Sequence, residues 1–164
     1  MDRQDFLHYF GHVRERTMRT VRCIPPDQIE WTCRPGDFTL GDLARHIAAT
    51  ERYVFAECAL GRPSRYPGCG RNLADGFENV LAYLERAHAE SLAIFSQMSD
   101  EEWNRKATSP EGQPVTAWRL LRAMLEHEIH HRGQIYVYLG ILGAPTPPLF
   151  TLNERQLRTL SPQP

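Results

Sequence analysis

Apolar residues recur at helical spacing in four long stretches of this chain, separated by proline- and glycine-rich breaks. From about Asp2 to Cys23, Phe6, Phe10, Val13, Thr17 and Val21 fall on one stripe of a 3.6-residue helix, with Arg14, Glu15, Arg16 and Arg19 largely off it. Pro25 and Pro26 end that helix, because proline lacks the amide hydrogen that the ladder needs. A second helix is predicted after Thr39, whose hydroxyl suits an N-cap, with Asp42 three residues on. Its stripe is Leu40, Leu43, Ile47, Val54 and Cys58, and Gly61 with Pro63 stops it. The third runs from about Asn72 to Met98, with Phe77, Leu81, Leu84, Leu92 and Phe95 inward. The fourth follows Thr116 and reaches about Leu142, with Gly143, Pro145, Pro147 and Pro148 beyond it. Ser99 to Pro114 reads as irregular, with at most a short hairpin near Arg105 to Gln113, and Leu152 to Leu160 as a short amphipathic tail helix. No run alternates with period two for long enough to be a core strand. Four amphipathic helices without a core sheet predict an all-α protein, a four-helix bundle.

Composition narrows the picture. The 164 residues suit one helical-bundle domain spanning 1–164, and a chain of roughly 150 residues buries about 70% of its unfolded surface, so neither metal nor disulfide is needed for folding. Lys plus Arg is 19 against 20 for Asp plus Glu, with no basic cluster, which predicts no nucleic-acid partner. No apolar run reaches the length of a membrane span, and the opening MDRQDFLHYF does not read as a secretory leader. Cys23, Cys33, Cys58 and Cys69 form no CxxC pair. Reduced thiols in a cytoplasmic, membrane-free protein are the expectation.

The seven histidines carry the candidate chemistry. With Leu120 as zero and 100° per residue on the fourth helix, His127 falls at roughly −20° and His131 at roughly +20°, in line with Met124, Tyr138 and Leu142. Two imidazoles on an apolar stripe are costly unless something satisfies them, and i, i+4 spacing is what one helix needs to give two ligands to one metal. Two core histidines satisfied by neighbouring side chains or water are the plainer alternative. His130, roughly 80° to one side, is a flank residue. His46 lies at the edge of the second helix's stripe, where a third ligand of an open site would sit. His88 points inward beside Leu84 and Phe95 as a core or pocket-lining histidine, whereas His8 and His12 share the same spacing but face away from their stripe, as a solvated pair.

The segment His127 to His131 also satisfies the HExxH pattern of zinc proteases, in which Glu128 would be the general base. The longer metzincin continuation fails, since Arg132, Gly133, Gln134 and Ile135 follow, and a downstream ligand Glu154 lies beyond the break at Gly143 to Pro148. On the helical wheel Glu128 occupies a flank. Glu51 lies nearer its own stripe, which makes it the better base for a hydrolase or a partner to a ligand.

Three segments carry a family resemblance: PPDQIEWTCRPGDFTLGDLARHIAATE (Pro25 to Glu51), SDEEWNRKATSPEGQPVTAWRLL (Ser99 to Leu121) and HEIHHRGQIYVYLGILG (His127 to Gly143). In order and spacing the chain resembles the DinB-like (DinB/YfiT) superfamily of metal-binding four-helix bundles. The resemblance implies an up-down-down-up bundle, in which the 11-residue connection Gly61 to Arg71, reaching at most about 36 Å, spans a helix about 30 Å long. It implies His46, His127 and His131 as ligands of a divalent metal, zinc or nickel foremost, with His130 outside the set. It also implies a homodimer and a small-molecule substrate. Relatives of that kind include S-transferases and isomerases that use thiols such as bacillithiol, mycothiol or glutathione. The leading expectation is therefore a low-molecular-weight thiol, ionised at the metal, attacking an electrophile. A non-catalytic stress-response metal binder and a metal-dependent hydrolase are the alternatives.

Overall fold

The computed structural model describes residues 2–148 and 152–161. Helix α1 (Arg3–Val21) is capped by the Asp2 carboxylate, which accepts from the Asp5 amide. Helix α2 (Leu40–Thr50) opens with a reciprocal capping box between Thr39 and Asp42. It continues without a break through a π-helical turn (Glu51–Phe55) into the short α3 (Ala56–Ala59). Helix α4 (Phe77–Gln97) starts five residues later than its pattern suggests, because Arg71–Leu73 forms a separate 3-10 turn and Gly76 takes a positive φ. The Ser99 to Pro114 stretch is more ordered than expected. A second capping box, Ser99 with Glu102, nucleates α5 (Asp100–Asn104), and β1 (Lys106–Thr108) pairs antiparallel with β2 (Pro114–Thr116) as the hairpin. Helix α6 (Ala117–Leu142) ends at Gly143, which adopts the left-handed conformation that glycine tolerates without strain. The tail helix α7 is Glu154–Leu160.

Two apolar clusters fix the helix directions. One joins the C-terminal halves of α1 and α6 (Val21, Leu139) to the N-terminal halves of α2 and α4 (Leu40, Val80). The other joins Phe6 and Phe10 of α1 and Leu121 and Met124 of α6 to Ala59 of α3 and Phe95 of α4. Helices α1 and α6 therefore run one way and α2 and α4 the other, giving the up-down-down-up order, with α6 packed between α1 and α2. The connection from Gly61 to Gly70 carries the chain back between the two parallel helices, and buried Arg45 anchors it by donating to the Cys69 and Ala74 carbonyls while pairing with Glu30 and Asp42.

A polar layer separates the two clusters. Arg14 (4% exposed) donates through Nη2 to Glu51 and, at 3.2 Å, to Glu128, both 2% exposed, and His88 Nδ1 lies 3.7 Å from Glu51. Both burials differ from the sequence pattern, in which Arg14 falls off its stripe and Glu128 on a flank. On α6 the buried residues Leu121, Met124, Leu125, Glu128, Arg132, Ile135 and Leu139 centre near +90° on the wheel that has Leu120 at zero. Leu92 likewise turns outward at 37% exposure, because buried Ser91 takes the inward position.

Candidate metal centre

Rotating the core face of α6 by about 90° moves His127 and His131 from its centre to the edge that faces α2. There both are half-buried, and His130, nearly opposite the core face, is exposed. His46, one and a half turns into α2, meets them across the seam. His127 Nε2 lies 3.1 Å from His46 Nε2 and 3.0 Å from His131 Nε2. Among the described residues these three histidines form the group of potential ligands that converge within 4.8 Å. His8 and His12 are also close, Nε2 to Nε2 at 3.0 Å, but they are an exposed pair on one helix.

The other ring nitrogens are each held by an oxygen. His131 Nδ1 donates to Gln134 Oε1 at 2.6 Å, and His46 Nδ1 lies 2.6 Å from the Tyr66 hydroxyl. His127 Nδ1 faces Thr50 Oγ1 at 3.5 Å, and that hydroxyl spends its own proton on the His46 carbonyl at 2.7 Å. A neutral imidazole has one N–H. With it placed on Nδ1, three Nε2 lone pairs point at one another with no proton between them. Burial, reinforced by the neighbouring imidazoles, pushes the pKa of His46 down to about 4 and of His127 to about 3, and burial also lowers that of His131. All three are therefore uncharged near neutrality.

A cation fits this arrangement. Metal–nitrogen bonds of about 2.0–2.1 Å place adjacent ligand nitrogens about 2.9 Å apart at right angles and about 3.3 Å apart at tetrahedral angles, which brackets the observed spacings. The Nδ1 partners are those a ligating histidine requires to fix its tautomer. Sequence reasoning missed them, although Gln134 at i+3 from His131 and Thr50 at i+4 from His46 are readable helical neighbours. It also missed the π-helical turn that begins one residue after Thr50, a feature frequent at functional sites.

Glu128 does not face the triad. Its carboxylate turns into the bundle toward Arg14, so the base of the HExxH reading is absent from the side on which His127 and His131 converge. Glu51 turns the same way, toward Arg14 and His88, and bonds none of the three imidazoles. A cavity of about 480 Å³ beside Arg71, Asn79 and Tyr83 touches no member of the triad, whose three imidazoles are each partly exposed where α2 meets α6. All four cysteines are free thiols, and no described helix is long and apolar enough to cross a membrane.

Comparison with known proteins agrees with this architecture. The family model of the DinB superfamily matches residues 9–135. The uncharacterized protein YjoA of Bacillus subtilis is 29% identical over 147 residues, covering 87% of this chain and 92% of YjoA. A crystal structure of a DinB-like protein from Bacillus cereus superposes with a TM-score of 0.74 at 19% identity, covering 88% of this chain and 95% of that one. The mycothiol-dependent maleylpyruvate isomerase superposes with a TM-score of 0.66 at 15% identity, over 82% of this chain and 61% of the isomerase.

Proposed function

The chain belongs to the DinB superfamily, and on that footing we propose that His46, His127 and His131 hold a divalent metal, zinc or nickel foremost, at which a low-molecular-weight thiol is activated toward a small electrophile. The carrying observation is the convergence of three Nε2 atoms whose Nδ1 partners are all oxygens. Three neutral ligands leave the ion its full positive charge, with which it lowers the pKa of bound water to about 7 and favours thiolate over thiol. The chain's own part is to keep the imidazoles neutral and oriented, through Gln134, Thr50 and Tyr66, and to hold them partly exposed where α2 meets α6. A structural neighbour that depends on mycothiol supports the thiol as co-substrate. A hydrolase would need a base beside the triad, and both carboxylates considered for that role are turned into the polar layer. The test is elemental analysis of the purified protein, followed by a scan of thiols against a generic electrophile. One metal per chain and thiol-dependent turnover lost in His131→Ala are expected. Absence of metal even after reconstitution refutes the reading. So does turnover that survives its removal.

A further inference from the structure

Three aromatic side chains from separate segments meet the triad. Phe38, just before α2, has its ring centre 5.5 Å from that of His46, and Tyr66, in the connection after α3, has its centre 5.6 Å away. Phe55, at the end of the π-helical turn, lies 5.8 Å from His127. Phe38 and Tyr66 remain 42% and 41% exposed and belong to neither apolar cluster. Leaving such rings in water forgoes the gain of burying them, so their meeting on one imidazole asks for a cover. The arginines that neighbour the triad in sequence are committed elsewhere. Arg45 pairs with Glu30 and Asp42, Arg52 with Glu57 and Glu90, Arg65 with Glu57, and Arg132 donates to the Val13 carbonyl.

We infer that this rim selects an uncharged aromatic ligand, in which an aryl group lies against Phe38 and Tyr66 while its reactive end reaches the triad, in preference to a polycarboxylate. Edge and face contacts among rings are favourable without any charge, whereas a polycarboxylate would need guanidinium forks, and those named here are already engaged with carboxylates or, for Arg132, with a backbone carbonyl. The selection rests on the metal reading above, since the triad supplies the reactive end.

The test uses the full chain loaded with Co²⁺, with metal content measured first. Benzyl mercaptan and mercaptosuccinate are then titrated in, and the sulfur-to-cobalt charge-transfer band is followed. Benzyl mercaptan is expected to bind at least tenfold more tightly. Phe38→Ala should weaken it by about two- to tenfold, the worth of one aromatic contact, with cobalt content and mercaptosuccinate affinity unchanged. Tyr66→Phe, which keeps the ring, should retain the aryl preference. Equal or tighter binding of mercaptosuccinate overturns the inference, as does a preference that Phe38→Ala leaves intact. A chain that takes up no cobalt refutes the metal reading instead. The rim is then judged alone by saturation-transfer NMR with benzyl alcohol against succinate on the metal-free protein, where contact confined to benzyl alcohol and lost in Phe38→Ala upholds it and any other pattern overturns it.

Discussion

Replacing Arg14 by methionine isolates the role of the polar layer. Arg14 Nη2 bridges Glu51 and Glu128, and all three side chains are at most 4% exposed. Burial, together with the neighbouring Glu51, already pushes the Glu128 carboxyl above its ordinary pKa, against the opposing pull of Arg14. Removing the guanidinium leaves two buried carboxyls without the cation that bridges them, and stranding a buried charge costs about 3–5 kcal/mol. At about 2–4 °C per kcal/mol for a chain of this size, the expected drop in Tm is about 6–20 °C. Glu128→Gln alone removes one charge from a three-charge cluster and keeps the shape, so its cost should stay below about 1.5 kcal/mol. The triple variant Arg14→Met, Glu51→Gln, Glu128→Gln has no buried charge left in the trio and should recover more than half of the Arg14→Met loss. Urea denaturation followed by far-UV circular dichroism at pH 7 measures all three, given two-state unfolding. If Arg14→Met costs under about 1 kcal/mol, or the triple variant is no more stable than the single one, the orphaned-charge argument is wrong. Glu128→Gln should also leave metal content unchanged, whereas a peptidase activity abolished by it would restore the HExxH reading.

Further outcomes follow from the same geometry. Metal content measured by elemental analysis should collapse in His46→Ala, His127→Ala and His131→Ala and persist in His130→Ala, whose exposed ring lies outside the converging group; equal loss from His130→Ala would mean a misassigned ligand. Chelation should lower Tm by mass action yet leave the far-UV helical signal intact, because the apolar clusters do not depend on the ion; a collapse of helicity would make the metal structural. The metal-free protein should lose stability as pH falls from about 6.5 toward 4, because the unfolded chain binds protons at histidines that the fold holds neutral, with pKa near 4 for His46 and 3 for His127; Tm measured across that window should fall less steeply in His127→Gln. Gly41→Ala should cost about 1–3 kcal/mol, since a Cβ there would stand 2.9 Å from the Ile29 carbonyl oxygen, and a neutral result in the same denaturation assay would contradict that clash.

Local patterns carry what depends on neighbours in sequence. The four long helices, the Thr39 cap, the Gly143 stop and the i, i+4 pairing of His127 with His131 all follow from periodicity and short-range hydrogen bonding, so they were legible from the chain alone. The rotation of α6 was not. A hydrophobic wheel reads Glu128 and Arg14 as surface residues and swings the core face toward Leu120, Tyr138 and Leu142. The true face centres on Glu128, because a cation from another helix makes that carboxylate cheap enough to bury. The same packing moved the two histidines to an edge that a third can reach. His46 stands 81 residues before His127 and meets it only because α2 and α6 run antiparallel side by side. Thr50 and Tyr66, which place a hydroxyl oxygen at the Nδ1 atoms of His127 and His46, reach them through the same seam and through a connection pinned by Arg45. Charge neutralisation and ligand convergence are pairwise effects between distant segments, so the tertiary structure decided them.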